Sequence, residues 1–391
     1  SLRVRNYRSI EDSGWVSIDD LTCLIGKNES GKTGFMRAVE GLNPLYAVDE
    51  YTPKTDYPRQ DWPAYSDRHE DDPDVVASAR LDLEPEDVAA AEEEFGDGVF
   101  ADSAVTIHRD YQNELRWELE LDPAVALDWV LETHDLPEDM ESELRTAESL
   151  SDLSEDGPSD VSLAALEAEL GEPPRAALAA DIGSSVLEDR LPEFRYVGEY
   201  SIMDGSIVVE DLLERRDREE GVDPGDRVFL ALLTLAGLEV DDFRDVDDWR
   251  DMTAELEATS ATVSAEAMRY WTQSGDIEIR IQPTTTTTEA GEQHVLDVRV
   301  QNRDRNVTVE FEQRSHGFRR FFSTFCLLSE FESSDDVVLL LDEPGLNLHA
   351  RAKREFLTFM KNELASGNPI VYTTHSPFMI DPESVHGTQM V

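Results

Sequence analysis

Eight residues, GKNESGKT from Gly26 to Thr33, lie between the apolar run LTCLI and a run in which Phe35, Met36, Val39 and Leu42 fall on one helical face. Strand, glycine-rich loop and helix in that order constrain the fold more than any other feature of the chain. The pattern G-x-x-x-x-G-K-[ST] lets backbone amides and a helix N-terminus wrap phosphates, with Lys32 reaching the terminal phosphates and Thr33 holding magnesium. Gly26, Lys27, Asn28, Glu29, Ser30, Gly31, Lys32 and Thr33 are therefore the expected phosphate-binding residues.

About 300 residues later, VVLLLDEP places Asp342 and Glu343 at the end of a buried strand. There one carboxylate can reach the Thr33-bound metal, and its neighbour can polarise a water for in-line attack. Asp-Glu pairs are common in so acidic a chain. The apolar residues before this one single it out, because a carboxylate doublet closing a core strand is costly without a cation. PIVYTTHSPFMI ends a second core strand at Thr373-Thr374 and delivers His375, either as a structural histidine or as a contact to the terminal phosphate.

EQRSHGFRRFF, residues 312 to 322, follows the strand-like VTVEFE and opens a helix whose apolar face holds Phe318, Phe321, Phe322, Phe325 and Leu328. Ser315 and Gly317 offer a hydroxyl and free amides to an anion at that helix start. Arg319 and Arg320 either assist such an anion or balance carboxylates.

Composition bounds the remaining readings. The 391 residues, 40% of them hydrophobic, suffice for two or three domains' worth of core. Asp and Glu number 86 against 34 Lys and Arg, of which only five are lysine, so the net charge is −52. That balance is similar to the habit of halophilic proteins, in which acidic side chains keep the chain soluble at high salt. It says little about partners, and nucleic acid would need a local basic patch. Cys23 and Cys326 sit in apolar runs, which fits buried, reduced thiols rather than a disulfide or a metal site. The longest apolar stretch, VFLALLTLAGLEV, is too short to span a membrane, and no signal peptide opens the chain, although a start on Ser1 fits a cropped sequence. The expectation is a soluble, cytoplasmic protein with no membrane partner.

Along the chain, residues 1–121 read as the N-terminal part of a sheet-based domain, with LRVRNYRSI, WVSIDDLTCLIG, VVASARLDL, VTIHRDY and LRWELEL as strands. The last three read as antiparallel strands flanking the main sheet. Residues 122–190 form an acidic helical insertion, 191–209 return to the sheet, and 210–272 are helical again. Residues 273–391 resume alternation, with TTTTT as a hairpin tip and VVLLL and PIVYTTH as buried strands.

Phosphate loop, serine turn, LLLDEP and TTHS in this order resemble the heads of ABC-type ATPases. GKNESGKT, RSHGFRRF, LDEPGLNLHA and YTTHSPFMID are similar to the ATPase domain of the OLD family (overcoming lysogenization defect), relatives of SMC, RecF and other DNA-repair heads. The resemblance implies an α/β fold: an ABC-type P-loop ATPase head, with a mixed central sheet flanked by helices plus antiparallel strands and with helical insertions. It implies that Lys32 and Thr33 bind ATP and Mg2+, that Asp342 helps to hold the metal, that Glu343 is the catalytic base, and that His375 is the switch histidine. Ser315 and Gly317 would act in trans, on the nucleotide of a second copy in a homodimer or higher homo-oligomer. Where ABC transporters have an aspartate, this chain has His349, as in the OLD branch. The family's glutamine-bearing loop has two candidates, Gln60 and the segment around Glu199. Residues 210–272 occupy the place of a dimerisation arm, or else form a helical subdomain packed on its own sheet. A Toprim nuclease domain usually follows in the family; here it is either cropped or a separate protein, and DNA is the implied partner.

Two competing readings are an ABC transporter's ATPase and a nucleotide-dependent scaffold. Against the transporter stand His349 and the span of about 280 residues between the phosphate loop and Ser315.

Overall fold

The computed structural model describes residues 1–26, 31–153, 162–198, 202–216, 222–235, 237–243, 249–272, 275–288, 291–329, 331, 337–382 and 388–390. Lys27, Asn28, Glu29, Ser30 and Glu199 lie outside the described residues. The chain divides into two compact units, Ser1–Val16 with Arg37–Glu193, and Ser17–Met36 with Phe194–Val391.

The first unit holds an antiparallel sheet of β1 (Leu2–Tyr7), β2 (Ile10–Asp12), β4 (Val75–Asp82), β5 (Phe100–Asp110) and β6 (Leu115–Leu121), in the order β2-β1-β4-β5-β6. Alternation in the sequence sets the two faces. Val4 lies opposite Ala77, Ala79 opposite Ile107, and Ile107 opposite Trp117, so small and branched residues share one side. Asp122 then caps the helix Pro123–Thr133, accepting from Ala124 N and Val125 N. With Leu163–Leu170 and Pro174–Ile182 that helix builds a cluster around Leu121, Leu127, Leu166, Leu178 and Ile182, against which Trp117 and Leu119 pack. Gly183 is required where it stands, because a Cβ there would meet the Trp117 ring at 2.3 Å. Gln60, one candidate for the glutamine loop, is exposed and donates to Glu11 at 2.7 Å.

The second unit contains two sheets. In the first, β3 (Leu21–Ile25), β7 (Glu193–Val197), β12 (Val337–Leu341), β13 (Ile370–Thr373) and β14 (Thr388–Met390) take the order β14-β3-β13-β12-β7. The pairs β14–β3, β3–β13 and β13–β12 are parallel. VVLLL and IVYT are buried at every residue, the pattern of strands covered on both faces. Cys23 on β3 and Cys326 are buried free thiols, and burial pushes the Cys23 thiol up to about 11.

The second sheet is antiparallel: β10 (Gly291–Asn302) pairs with β8 (Ser206–Val208), β9 (Ile277–Thr288) and β11 (Val307–Glu310). The helix Trp249–Arg269 lies along β9, and its Ser260 and Ser264 hydroxyls accept from Ile281 N at 2.9 Å and Ile279 N at 2.8 Å. These serines satisfy strand amides that would otherwise stay unpaired. Leu256, Val263 and Ala267 of this helix are buried, as are Ile277, Ile279 and Ile281 of β9.

One local expectation is refined and another corrected. The threonine run lies at the tip end of the β9–β10 hairpin, as expected, but all five residues stay in β9 and pair with β10, because β-branched side chains extend a strand. WVSIDD is not strand: only Val16 makes an isolated bridge, to Leu2, and β3 begins at Leu21. The strand-like runs at the start of the chain therefore belong to different sheets.

Candidate nucleotide site

Three of the parallel strands, β3, β13 and β12, are adjacent and run the same way, so their C-terminal ends open on one edge of the sheet. That edge is where open α/β sheets present ligand-binding loops. Gly26 follows β3, Asp342 and Glu343 follow β12, and Thr374 and His375 follow β13. The order of the motifs along the chain differs from their order across the sheet, yet parallel pairing brings all three strand ends together.

Gly31 has a φ of 91°, a left-handed conformation that glycine adopts without a Cβ penalty. The helix Lys32–Glu40 starts immediately after it. Lys32 is 7% exposed, and its Nζ donates to the Gly26 carbonyl at 3.1 Å. Thr33 is exposed in the first turn and donates from Oγ1 to Asp342 Oδ2 at 2.7 Å, which joins residues 309 apart in sequence.

Asp342 is the centre of a hydroxyl network. Besides Thr33, Tyr196 on β7 donates to Oδ2 at 2.9 Å, and Thr373 at the end of β13 donates to Oδ1 at 2.6 Å. Hydrogen bonds to an ionised carboxylate are shorter and stronger than neutral ones, and this set fixes both oxygens. Asp342 N also donates to Val197 O at 2.9 Å, tying the turn to β7.

Glu343 departs from ordinary backbone geometry, with φ at 49°. A non-glycine residue there costs about 1–3 kcal/mol, which the surroundings must offset. They do so through main-chain contacts: Glu343 N donates to Thr373 Oγ1 at 2.9 Å, and Arg320 Nη2 donates to the carbonyls of Asp342 at 3.0 Å and Glu343 at 2.9 Å. The side chain is 21% exposed, and among the described residues its buried Oε1 accepts no hydrogen bond, with His375 Nε2 at 3.4 Å. A buried carboxylate oxygen without a donor is unfavourable in a merely structural setting. It is what a base waiting for a water proton requires.

His375 is exposed. Ser315 is exposed at the start of the helix His316–Ser329, and its hydroxyl accepts from Phe318 N at 3.3 Å, the bond of a helix cap. Among the described residues this is its one side-chain hydrogen bond, so the turn is not joined to Lys32, Thr33, Asp342 or Glu343 by Ser315. Gly317 is buried, and a Cβ there would meet Asn347 O at 2.5 Å, so only glycine lets the helix approach the Asp342–Leu348 turn this closely. Phe318, Phe321, Phe322 and Phe325 are buried around Trp271, Phe356 and Phe359. Each contributes roughly 2–3 kcal/mol by burial, which anchors the turn. His349 precedes the helix Ala350–Phe359 and makes no cap bond with its side chain.

Arg320 is 3% exposed and donates to main-chain carbonyls of the acidic turn, a role that neither sequence expectation named. Arg314 lies over the Phe318 ring at 4.9 Å, and burial lowers its pKa. Sequence reasoning missed Tyr196 and Thr373. Thr373 is visible as part of TTH, but no signal distinguishes Tyr196 from any strand tyrosine.

The donor set fits magnesium. Thr33 and Asp342 place a hydroxyl and a carboxylate oxygen within 2.7 Å of one another, and Mg2+ takes one or two protein oxygens and leaves its other positions to phosphate and water. Among the described residues no group of three or more His, Cys, Asp or Glu could hold a metal by itself, and no helix is long and apolar enough to cross a membrane.

No curated protein matches the chain. Among solved structures, an Smc head bound to the C-winged helix domain of ScpA is 12% identical with a TM-score of 0.43, and the match covers 97% of this chain and 89% of that one. An SMC head domain from Thermotoga maritima is 11% identical with a TM-score of 0.36, over the same shares of each chain. An Smc head derived from Pyrococcus furiosus, with an extended coiled coil and bound to the C-terminal domain of ScpA, is 13% identical with a TM-score of 0.38, again over 97% and 89%. A family model matches residues 21–381, from the first residue of β3 to the end of the histidine motif. The match spans most of the chain, and the chain belongs to the family described as "AAA domain, putative AbiEii toxin, Type IV TA system".

Proposed function

We propose that the chain binds ATP with Mg2+ at the common end of β3, β12 and β13 and hydrolyses it to ADP and phosphate. The observation that carries this reading is the bond of Thr33 to Asp342, which accepts from three hydroxyls, beside Glu343, whose buried Oε1 has His375 Nε2 at 3.4 Å and accepts no hydrogen bond among the described residues. Lys32 and the loop amides Gly26–Gly31 bind the phosphates, and Thr33 and Asp342 hold the metal. When bound, magnesium neutralises charge that builds on the transferred phosphoryl oxygens. Glu343 takes the proton of the attacking water, and His375 contacts the terminal phosphate next to it.

Ser315 and Gly317 serve the nucleotide of a second copy, so ATP closes a homodimer and hydrolysis reopens it. Exposure of Ser315, whose hydroxyl donates to no partner among the described residues, supports a ligand from outside the chain. By resemblance to the OLD family, the cycle regulates DNA processing by a Toprim-type nuclease, attached or separate, in anti-phage defence or DNA repair in the cytoplasm of a halophile.

Light scattering of the purified chain with Mg2+ and a non-hydrolysable ATP analogue tests the assembly. The mass is expected to double at least with the analogue, and to stay unchanged in Ser315→Arg, whose long cation fills the turn. Bound analogue without any rise in mass would contradict assembly on nucleotide.

A further inference from the structure

Among the described residues, the helix His316–Ser329 meets the turn at 342–348 through the first five of its residues. Arg320 Nη2 donates to the carbonyls of Asp342 at 3.0 Å and Glu343 at 2.9 Å. Gly317 lies against Asn347 O with no room for a Cβ, and His316 Nδ1 is 3.0 Å from Asn347 Nδ2. The turn has two left-handed residues, Glu343 with φ 49° and Asn347 with φ 63°. The helix contacts both of them, and Asp342 as well.

We propose that Arg320 is a positioning residue for Glu343 and that, with Gly317, it locks the serine turn and the acidic turn of one chain into a single moving piece. The inference rests on the reading of Glu343 as the base and Ser315 as a contact for the second copy's phosphates. Under that reading, an anion drawn against Ser315 pulls on the helix start, and Arg320 carries the displacement to the Glu343 main chain of the same subunit. Each subunit's base thus answers to the nucleotide bound by its partner, whereas its own nucleotide is read through Thr33 and Asp342. The direct contacts make a short path of two elements rather than a diffuse one. A guanidinium buried at 3% exposure and aimed at two carbonyls leaves those carbonyls without these bonds when it is removed.

Hydrogen exchange on the full chain without nucleotide tests the coupling independently of any hydrolysis. Asp342 N, Leu346 N and Leu348 N bond to Val197 O, Glu343 O and Gly345 O, and Glu343 N bonds to Thr373 Oγ1, so the turn reports its own order. In Arg320→Met and in Gly317→Ala, exchange across 342–348 is expected to speed up by about tenfold or more, with peptides from β3 and β13 unchanged. Arg320→Lys, which keeps a donor, should restore part of the protection. In steady-state ATP turnover the same Arg320→Met is expected to lose about tenfold to a hundredfold in kcat with KM held, since misplacing a reacting group by about 1 Å costs that much. Wild-type exchange across 342–348 in both variants, or a loss spread evenly over β3 and β13, would overturn the coupling. Loosened exchange in a protein without ATP turnover would instead overturn the nucleotide reading and leave the coupling standing.

Discussion

Glu343→Gln is expected to lower ATP turnover by about two to four powers of ten while leaving ATP affinity within about threefold of wild type. The two carboxyl-derived groups are nearly the same size, so the turn held by Thr373 and Arg320 should keep its geometry. What changes is basicity: an amide cannot take the proton of a water, and it places either an oxygen or an NH2 where the buried Oε1 now stands. Phosphate release against substrate concentration measures turnover, and displacement of a fluorescent ATP analogue measures affinity. Loss of binding in parallel with turnover would move Glu343 from chemistry to structure.

Asp342→Asn should be the more damaging replacement for the protein as a whole. The carboxylate now accepts from three hydroxyls, those of Thr33, Tyr196 and Thr373. An asparagine would turn one end into a donor facing at least one of them, leaving a bond unmade at a cost of about 1–3 kcal/mol. For a chain of this size that corresponds to a few degrees in melting temperature. Turnover is expected to fall by about a hundredfold or more, with a higher Mg2+ concentration for half activity, because the metal loses its charged partner. Calorimetry and a magnesium titration of ATP turnover check the two halves separately. An unchanged melting temperature would show that the hydroxyl network does not contribute to stability.

The sequence carries some parts of this architecture openly and others not at all. Buried parallel strands are legible as VVLLL and IVYT because strands covered on both faces need apolar residues at every position. The strand before the phosphate loop is legible for the same reason, but its start is not, since WVSIDD alternates like a strand and makes only one bridge. The threonine run shows the opposite limit: it reads as a hairpin tip, and lies at one, but β-branching keeps all five residues in β9. At the site, the motif residues mark themselves by spacing, while their supports do not. Tyr196 and Thr373 reach Asp342 from strands that sit on either side of β12 in the sheet, and nothing in a linear pattern encodes which strands become neighbours. Arg320 is the clearest case. In an acidic chain an arginine next to a serine turn reads as an anion partner or a counter-charge, and only the packing of the helix shows it bonding to carbonyls.

Burial of the helix His316–Ser329 also explains why its start can be exposed and still be well placed. Its phenylalanines are buried among Trp271, Phe356 and Phe359, so the position of Ser315 is set by the core and not by solvent-side contacts. A rigid element presenting an exposed hydroxyl is a better contact for an incoming ligand than a mobile loop would be, because less conformational freedom is lost on binding.

The central claim is that each hydrolysis site is built from two chains, with Lys32 from one and Ser315 from the other, and complementation tests it most directly. Lys32→Ala and Ser315→Arg are each expected to abolish ATP turnover alone. Since neither variant pairs with itself on ATP, an equal mixture should form hetero-dimers alone, each with one intact site of two, and recover toward about half of wild-type turnover. Turnover by Ser315→Arg alone at the wild-type rate would contradict the account, because it would place the whole of the reaction within one chain.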